Sequence, residues 1–286
     1  MSADLAARLK PHLILNAKPN QPEFYSVKEA ALFELARERG LTLARIMIEC
    51  LEQDLWPERF RPNRGAFSAQ DQARLLKSTA AVIGAGGLGG AVCLLLARMG
   101  VGCLIVCDFD VFDESNLNRQ HLAKLERLGL NKALAAVEEI GRINPAVEVR
   151  AFPVKVEEDN VREVLAPAQV VIDCLDNMPS RYLAMKAARS LNLPFIHGAV
   201  AGLEGLILTS YPEDPGLDGL YGPKPAAKDD SAESFLGVPT VTPHLIAGLQ
   251  AVEAVFLLLG RPSLARRRLV HLDLSQPSLD LMTLAD

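Results

Sequence analysis

Residues 80–89 read AAVIGAGGLG, an apolar run followed at once by four glycines within six positions. The apolar run predicts a buried strand, and the glycines predict a tight turn that opens a helix. Glycine at such a turn lets backbone N–H groups approach a phosphate at the positive end of the helix. The stretch therefore predicts a Rossmann-like nucleotide-binding unit, with Gly84, Gly86, Gly87 and Gly89 at the phosphates.

Beyond this stretch, short apolar runs alternate with helical patterns, which is typical of a doubly wound α/β fold with a mainly parallel sheet. We assign residues 65–286 to this domain and expect its C-terminal strands to be antiparallel. The predicted helices cover residues 88–99, 132–143, 161–165 and 181–191. The predicted strands cover residues 80–83, 103–107, 147–152, 170–173, 195–199, 206–211, 269–274 and 279–284.

Residues 1–64 show no strand-like alternation and predict a small helical N-terminal extension. Ser26 and Glu29 have the spacing of a capping box, which predicts that a helix begins there. Gly40 predicts the end of that helix, and a second helix is predicted over residues 42–55.

The composition favours a globular enzyme of the cytoplasm. The chain has 286 residues, 49% of them hydrophobic, and a formal net charge of -5, which disfavours a general nucleic-acid binder. Its five cysteines form no C-x-x-C pair, and no secretory leader is evident, so a reducing compartment fits best. The apolar stretch 245–259 is short for a membrane span and predicts a buried or interface helix.

Asp108 lies at the end of the next predicted strand, about twenty residues after the glycines, where a carboxylate can bind ribose hydroxyls. Together with the glycine turn it indicates an adenosine-containing ligand and leaves both NAD and ATP open. The polar loop that follows, DFDVFDESNLNRQ over residues 108–120, is not needed by a dehydrogenase.

This loop and three further motifs resemble the ThiF/MoeB/HesA activating enzymes, relatives of the ubiquitin-activating enzymes. D-x-D, N-x-x-R-Q, a downstream lysine and D-x-x-D-N occur in that order, and the resemblance covers residues 63–274. It implies an ATP-dependent adenylyltransferase that acts on the C-terminal carboxylate of a ubiquitin-like or sulfur-carrier protein, and a homodimer. The matching residues are Asn116, Arg119, Gln120, Lys132 and the segment 173–177.

The chemistry of adenylyl transfer explains these residue types, because negative charge develops on several phosphate oxygens and needs fixed cations. Arg119 offers a forked donor set and Lys132 a compact charge, so both are assigned to the phosphates. Asp176 lies just past a predicted strand end. It is our candidate ligand for Mg²⁺, which takes one or two protein carboxylates.

The resemblance implies further roles at the nucleotide. Asp108 would hold the ribose, Asp110 and Asn116 would line the pocket, and Gln120 would support the phosphates. From their positions in the sequence, Asp173 is expected to shape a strand end, and Asn177 to cap the following helix. His197 is expected to be structural, because a carboxylate nucleophile is already ionised at neutral pH and needs no base.

The sequence departs from the family pattern in three places. The C-x-x-C pairs that hold zinc in many members are missing, with Asp218 to Tyr221 at one of these places, so no zinc is predicted. No cysteine follows Cys174, including in residues 231–236, so no thioester or persulfide with the enzyme is expected. Pro62 replaces an arginine that enters the partner's ATP site in relatives, and Arg61 and Arg64 remain alternatives.

Other functions stay open at this stage. A related branch activates a carboxylate on modified tRNA, which the acidic balance disfavours. In an NAD-dependent oxidoreductase, Arg119, Lys132 and Asp176 would have no role in the reaction. A non-catalytic scaffold would not need these residues either. Residues 211–240 are rich in Pro, Gly and Asp and predict either a lid or a mobile surface loop.

Overall fold

The computed structural model describes residues 5, 8–17, 22–223 and 235–284 of the chain. Near the N-terminus, strands β1 (Leu13–Asn16), β2 (Phe24–Val27) and β3 (Leu55–Pro57) form a small sheet in the order β1-β2-β3. Helices α1 (Glu29–Arg39) and α2 (Leu43–Leu51) lie between β2 and β3 in the chain. The extension thus contains the expected helices together with a three-stranded sheet that the sequence did not predict.

The reason is visible at Ser26, which lies in β2 and is fully buried instead of capping a helix. Its hydroxyl donates to Glu58 and accepts from the side-chain amide of Asn16 in β1. Helix α1 begins after Lys28 without a side-chain cap. Two predicted boundaries are confirmed: Gly40 ends α1 with a φ of 61°, and the Thr42 side chain caps α2. The predicted end of α2 at residue 55 is wrong, because the helix ends at Leu51 and Leu55 begins β3.

A third helix, α3 (Ala69–Leu76), joins this N-terminal module to the rest of the chain. It was not predicted, although Ser68 and Asp71 form a reciprocal capping box at its start. Ala69, Ala73 and Leu76 of α3 belong to the same buried cluster as the apolar residues of α1 and α2. The division of the chain at residue 64 stays a prediction.

The main sheet has eight strands in the order β11-β10-β9-β8-β7-β4-β5-β6. The pairs β4–β5, β5–β6, β4–β7 and β7–β8 are parallel. The pairs β8–β9, β9–β10 and β10–β11 are antiparallel. This mixed sheet confirms the predicted fold class. The strands are β4 (Thr79–Ile83), β5 (Cys103–Cys107), β6 (Glu148–Phe152), β7 (Val170–Asp173), β8 (Phe195–Ala201), β9 (Glu204–Ser210), β10 (Arg268–Asp273) and β11 (Ser278–Thr283).

Helices cover both faces of this sheet. One buried cluster packs α4 and α9 against β4, β5 and β7, and a second packs α6 and α7 against the opposite face. The helices are α4 (Gly87–Met99), α5 (Lys132–Ile143), α6 (Val161–Leu165), α7 (Met178–Ser190), α8 (Leu217–Tyr221) and α9 (Val241–Leu258).

By length and apolar composition, α9 could span a membrane, but 56% of it is buried inside the fold. It also carries Gln250 and Glu253, both fully buried and both hydrogen-bonded within the protein. These contacts are those of a core helix, as the sequence predicted.

Helix α4 connects the main sheet to the N-terminal module. It begins at the glycine turn and ends at Gly100, which has a φ of 79°. A Cβ atom at Gly100 would lie 2.5 Å from the ring of Phe60, which is fully buried in the N-terminal cluster. The close packing requires glycine at this position.

Candidate functional site

The glycines of the turn after β4 divide into two kinds. A Cβ atom on Gly84 would lie 2.6 Å from the carbonyl oxygen of Cys174, and one on Gly89 would lie 1.8 Å from that of Gly84. These two glycines allow the turn to pack against the end of β7. Gly86 and Gly87 line the adjoining cleft, and Cβ atoms there would meet no heavy atom closer than 3.5 Å. They are the glycines that let a ligand approach the backbone.

The cleft lies beyond the carboxyl ends of β4, β5, β6 and β7, where ligands bind in open α/β sheets. Its empty space is about 870 Å³ with the open mouth included. The polar and charged side chains that line it are Asp108, Asp110, Arg119, Gln120, Lys132, Lys155, Asp176, Asn177 and Ser180. The structure thus brings together most of the residues that the sequence singled out.

Asp108 follows β5 and fastens the glycine turn. Its carboxylate accepts hydrogen bonds from the backbone N–H groups of Ala85 at 2.6 Å and Asp110 at 2.8 Å. Burial raises the pKa of Asp108, and the two backbone hydrogen bonds oppose this shift. The residue therefore holds the turn and also faces the cleft.

Lys132 is held at the start of α5 with its ammonium group beside Asp110. The Nζ atom lies 3.0 Å from Oδ2 of Asp110. Asn131 caps the helix by accepting from two backbone N–H groups and donates to the carbonyls of Asp108 and Asp110. The loop after β5 and the first turn of α5 are thereby tied into one unit.

Arg119 and Gln120 line the cleft from the same polar loop, whereas Asn116 does not. Asn116 is buried and exchanges hydrogen bonds with Asp113 in a reciprocal cap. Arg119 donates to the carbonyl of Ser115 and to the side chain of Asn118. Within the described residues, Oε1 of buried Gln120 has no hydrogen-bond partner.

Asp176 lies in the turn between β7 and α7 and is exposed to the cleft. The turn is fixed at both ends. Asp173 accepts from the backbone N–H of Leu175 at 3.0 Å, and Asn177 caps α7 by accepting from Ser180, as expected. Arg181 donates to the carbonyl of Leu175. One accessible carboxylate beside a glycine turn suits Mg²⁺, which usually takes only one or two protein carboxylates.

Sequence reasoning missed part of the cleft. Lys155, Val154 and Val156 line it from the segment after β6, and Phe109 and Pro243 contribute apolar surface. The signal for Lys155 was its position: it follows a strand parallel to β5, and the carboxyl ends of parallel strands share one edge of the sheet.

The remaining candidate residues, His197 and the cysteines, are buried. His197 is fully buried, and Nδ1 and Nε2 contact Asp173 and Tyr221. All five cysteines are free and buried, and burial raises the pKa of Cys174 well above its ordinary value. In the described ranges, no three His, Cys, Asp or Glu side chains are grouped to hold a metal ion. The absence of zinc stays a prediction.

The two arginines before the domain contact their own N-terminal module. Arg61 forms an ion pair with Glu58 at 3.0 Å, and the guanidinium of Arg64 lies 4.0 Å from the ring centre of Phe24. Residues 231–234 of the expected crossover loop lie outside the described residues, and Phe235 and Leu236 after them are exposed.

Comparisons with known proteins agree with this geometry. The profile of the ThiF family matches residues 60–286. The SAMP-activating enzyme E1 of Haloferax volcanii is 38% identical over 206 residues, which are 71% of this chain and 76% of that protein. The sulfur carrier protein adenylyltransferase of Thermus thermophilus is 37% identical over 201 residues, 67% of this chain and 73% of that protein.

Solved structures extend the comparison at the level of fold. The crystal structure of E. coli MccB with MccA-N7isoASN has a TM-score of 0.70 and 17% sequence identity. The match covers 79% of this chain and 72% of that chain. At this identity the similarity concerns the fold alone.

Proposed function

The chain belongs to the ThiF family, and from that membership we propose that it adenylylates the C-terminal carboxylate of a small sulfur-carrier or ubiquitin-like protein with ATP. The observation that carries the proposal is the composition of the cleft. Two cations, Arg119 and Lys132, and the carboxylates Asp108 and Asp176 face the space beside the glycine turn. The relatives from H. volcanii and T. thermophilus are an activating enzyme and an adenylyltransferase by name.

In the reaction, a carboxylate oxygen of the carrier attacks the α-phosphorus of ATP and forms a new P–O bond. The bond from the α-phosphorus to the bridging oxygen breaks, and pyrophosphate leaves with its electron pair. The attacking carboxylate is already ionised at neutral pH, so no side chain has to remove a proton. The products are an acyl-adenylate and pyrophosphate.

The charged side chains of the cleft act on the phosphate oxygens. The forked guanidinium of Arg119 and the ammonium of Lys132 stabilise the negative charge that builds up as pyrophosphate departs. Lys155 adds a third positive charge to the same cleft. Mg²⁺, when bound, would be held by Asp176 and would neutralise phosphate charge.

We further propose a homodimer, as the family resemblance implies. Exposed apolar side chains occur in the polar loop, in the segment that follows it and in α5. They include Phe109, Val111, Leu117, Leu125, Leu128, Leu134 and Val137. A surface of this kind is typical of a protein interface. The cytoplasm is the proposed compartment because the five cysteines remain unpaired thiols.

The proposal is tested with small ubiquitin-like proteins encoded by the same genome, each with a free or an amidated C-terminus. We expect pyrophosphate exchange into ATP that depends on Mg²⁺ and on the free carboxylate. MgATP, and not NAD, should raise the melting temperature of the protein. Exchange with the amidated carrier, or an equal shift with NAD, would contradict the assignment.

A further inference from the structure

The turn that carries Asp176 is connected to α8 by a chain of hydrogen bonds through the protein interior. Nδ1 of His197 lies 2.7 Å from Oδ2 of Asp173, and Nε2 of His197 lies 3.0 Å from the hydroxyl of Tyr221. Asp173 and His197 are fully buried, whereas the side chain of Tyr221 is 39% exposed. This series of hydrogen bonds therefore runs from the surface to the base of the turn.

With His197 neutral, its two partners set the direction of each hydrogen bond. The carboxylate of Asp173 accepts only, so Nδ1 of His197 carries the proton and donates. Nε2 is then an acceptor, and the Tyr221 hydroxyl donates to it. Burial lowers the pKa of His197, which favours this neutral form, although the hydrogen bond to Asp173 opposes the shift.

Asp173 links these hydrogen bonds to the turn that carries Asp176. Its second oxygen, Oδ1, accepts from the backbone N–H of Leu175, directly before Asp176. Its backbone carbonyl accepts from Gln250 on α9 at 2.9 Å. With both carboxylate oxygens engaged, a displacement of the Asp173 side chain would shift the turn at Leu175.

At the other end, Tyr221 is the last residue of α8, a helix held against α7 by separate contacts. The hydroxyl of Tyr182 on α7 donates to the carbonyls of Leu217 and Gly222. These bonds anchor both ends of α8 without involving His197. The contacts that dock α8 and the hydrogen bonds of His197 are therefore made by different side chains.

We propose that Tyr221 is a positioning residue that, through His197 and Asp173, sets the place of Asp176 for Mg²⁺ binding at the nucleotide. The inference rests on the proposed adenylylation in its choice of metal and nucleotide. It assigns to α8 a part in ordering the site in addition to its place in the fold.

The test compares Tyr221→Phe with Tyr182→Phe. The first removes the hydroxyl that contacts His197, and the second removes the hydroxyl that holds α8 against α7. Thermal unfolding is measured at saturating ATP over a range of MgCl₂ concentrations. We expect Tyr221→Phe to raise the half-saturating Mg²⁺ concentration roughly two- to tenfold, the value of one hydrogen bond. Tyr182→Phe should lower the melting temperature of the free protein but leave the Mg²⁺ dependence unchanged.

A second arm adds His197→Gln. If the chain acts through His197, Tyr221→Phe should have no further effect on the Mg²⁺ dependence in the His197→Gln background. Should His197→Gln not fold, the two tyrosine variants still decide the question. An unchanged Mg²⁺ dependence in Tyr221→Phe, or an equal change in Tyr182→Phe, would overturn the proposal.

Failure of the proposed function gives a different result. A wild-type protein that binds MgATP but shows no carrier-dependent pyrophosphate exchange would reject the adenylylation assignment. The Mg²⁺ titrations would still test the hydrogen-bonded chain, because they need no carrier and no turnover.

Discussion

The ammonium group of Lys132 lies 3.0 Å from Oδ2 of Asp110, with the lysine side chain 9% and the aspartate side chain 43% exposed. Asp110 holds the cation at the cleft before any phosphate arrives. Little side-chain entropy then remains to be lost when the nucleotide binds. Positioning of this kind makes a charge effective in a transition state.

We therefore expect Lys132→Ala and Arg119→Ala each to lower kcat for pyrophosphate exchange by the equivalent of about 2–4 kcal/mol. The reason is that both cations line the cleft beside the glycine turn. Lys124→Ala is the matched control, since Lys124 pairs with Glu139 and does not line the cleft. A change confined to KM would indicate that the two residues bind ground state and transition state equally.

Asp176→Asn should impair Mg²⁺ binding far more than folding. Loss of a residue behind a metal ligand typically costs roughly 10–100-fold in metal affinity, so loss of the ligand should raise half-saturating Mg²⁺ at least roughly tenfold. The free energy of unfolding should change by no more than about 0.5 kcal/mol, because Asp176 is exposed. Asp159→Asn, an exposed carboxylate outside the cleft, is the control. Unaltered exchange in Asp176→Asn would remove this residue from the mechanism.

The enzyme should form an acyl-adenylate without forming a thioester or persulfide with its carrier. Cys174 is buried, its Sγ lies 3.6 Å from Oε1 of Gln250, and its raised pKa keeps it a thiol. A thiol is a poor nucleophile compared with a thiolate. Enzyme, carrier, ATP and Mg²⁺ are run on a non-reducing gel beside the exchange assay. A thiol-sensitive band that Cys174→Ala abolishes and Cys107→Ala retains would contradict this prediction.

Asp214 should make the free energy of unfolding depend on pH in the acid range. This buried residue pairs with Arg266 at 2.8 Å and Arg267 at 3.0 Å. Burial would raise the pKa of Asp214, but hydrogen bonds from Arg266, Tyr211 and Arg267 outweigh it and lower the pKa. A carboxyl whose pKa is lower in the folded state stabilises the protein above its unfolded pKa of about 3.9. That stability is lost as the pH falls through the lower, folded value.

Asp214→Asn should accordingly reduce the free energy of unfolding at pH 7 by about 1–3 kcal/mol, with the difference shrinking as the pH approaches the folded pKa. Glu213→Gln is the control, because Glu213 also contacts Arg266 but is 61% exposed. Urea denaturation at several pH values measures both. A difference that stays constant down to pH 3 would show that packing, and not charge, stabilises this contact.

Much of the main sheet could be predicted from local sequence alone. Strands β5 and β7 and helix α5 were placed to the residue, because compact apolar runs and Asn131 as a helix cap define them locally. The sequence also placed Asp108 at the end of one strand and Asp176 just past the end of another. These features depend on patterns within a few residues.

What could not be predicted depends on distant partners. The local sequence predicts that Ser26 caps a helix, yet Ser26 lies in β2, which pairs with β1 and β3. Strand β3 follows β2 in the chain only after two helices. Asn116 matches a motif residue that the resemblance places in the nucleotide pocket, but it is buried and does not line the cleft. Lys155 belongs to no motif and reaches the cleft only because β6 pairs with β5.

The contact between Phe60 and Gly100 makes the two ends of α4 energetically interdependent. One end begins at the glycine turn, and the other is packed against Phe60 of the N-terminal cluster. Local unfolding of residues 24–60 would remove that support, so a nucleotide at 100 times its Kd should oppose the opening by up to about 2.7 kcal/mol. Amide protons in α1 and α2 should therefore exchange with solvent more slowly when MgATP occupies a cleft that neither helix lines.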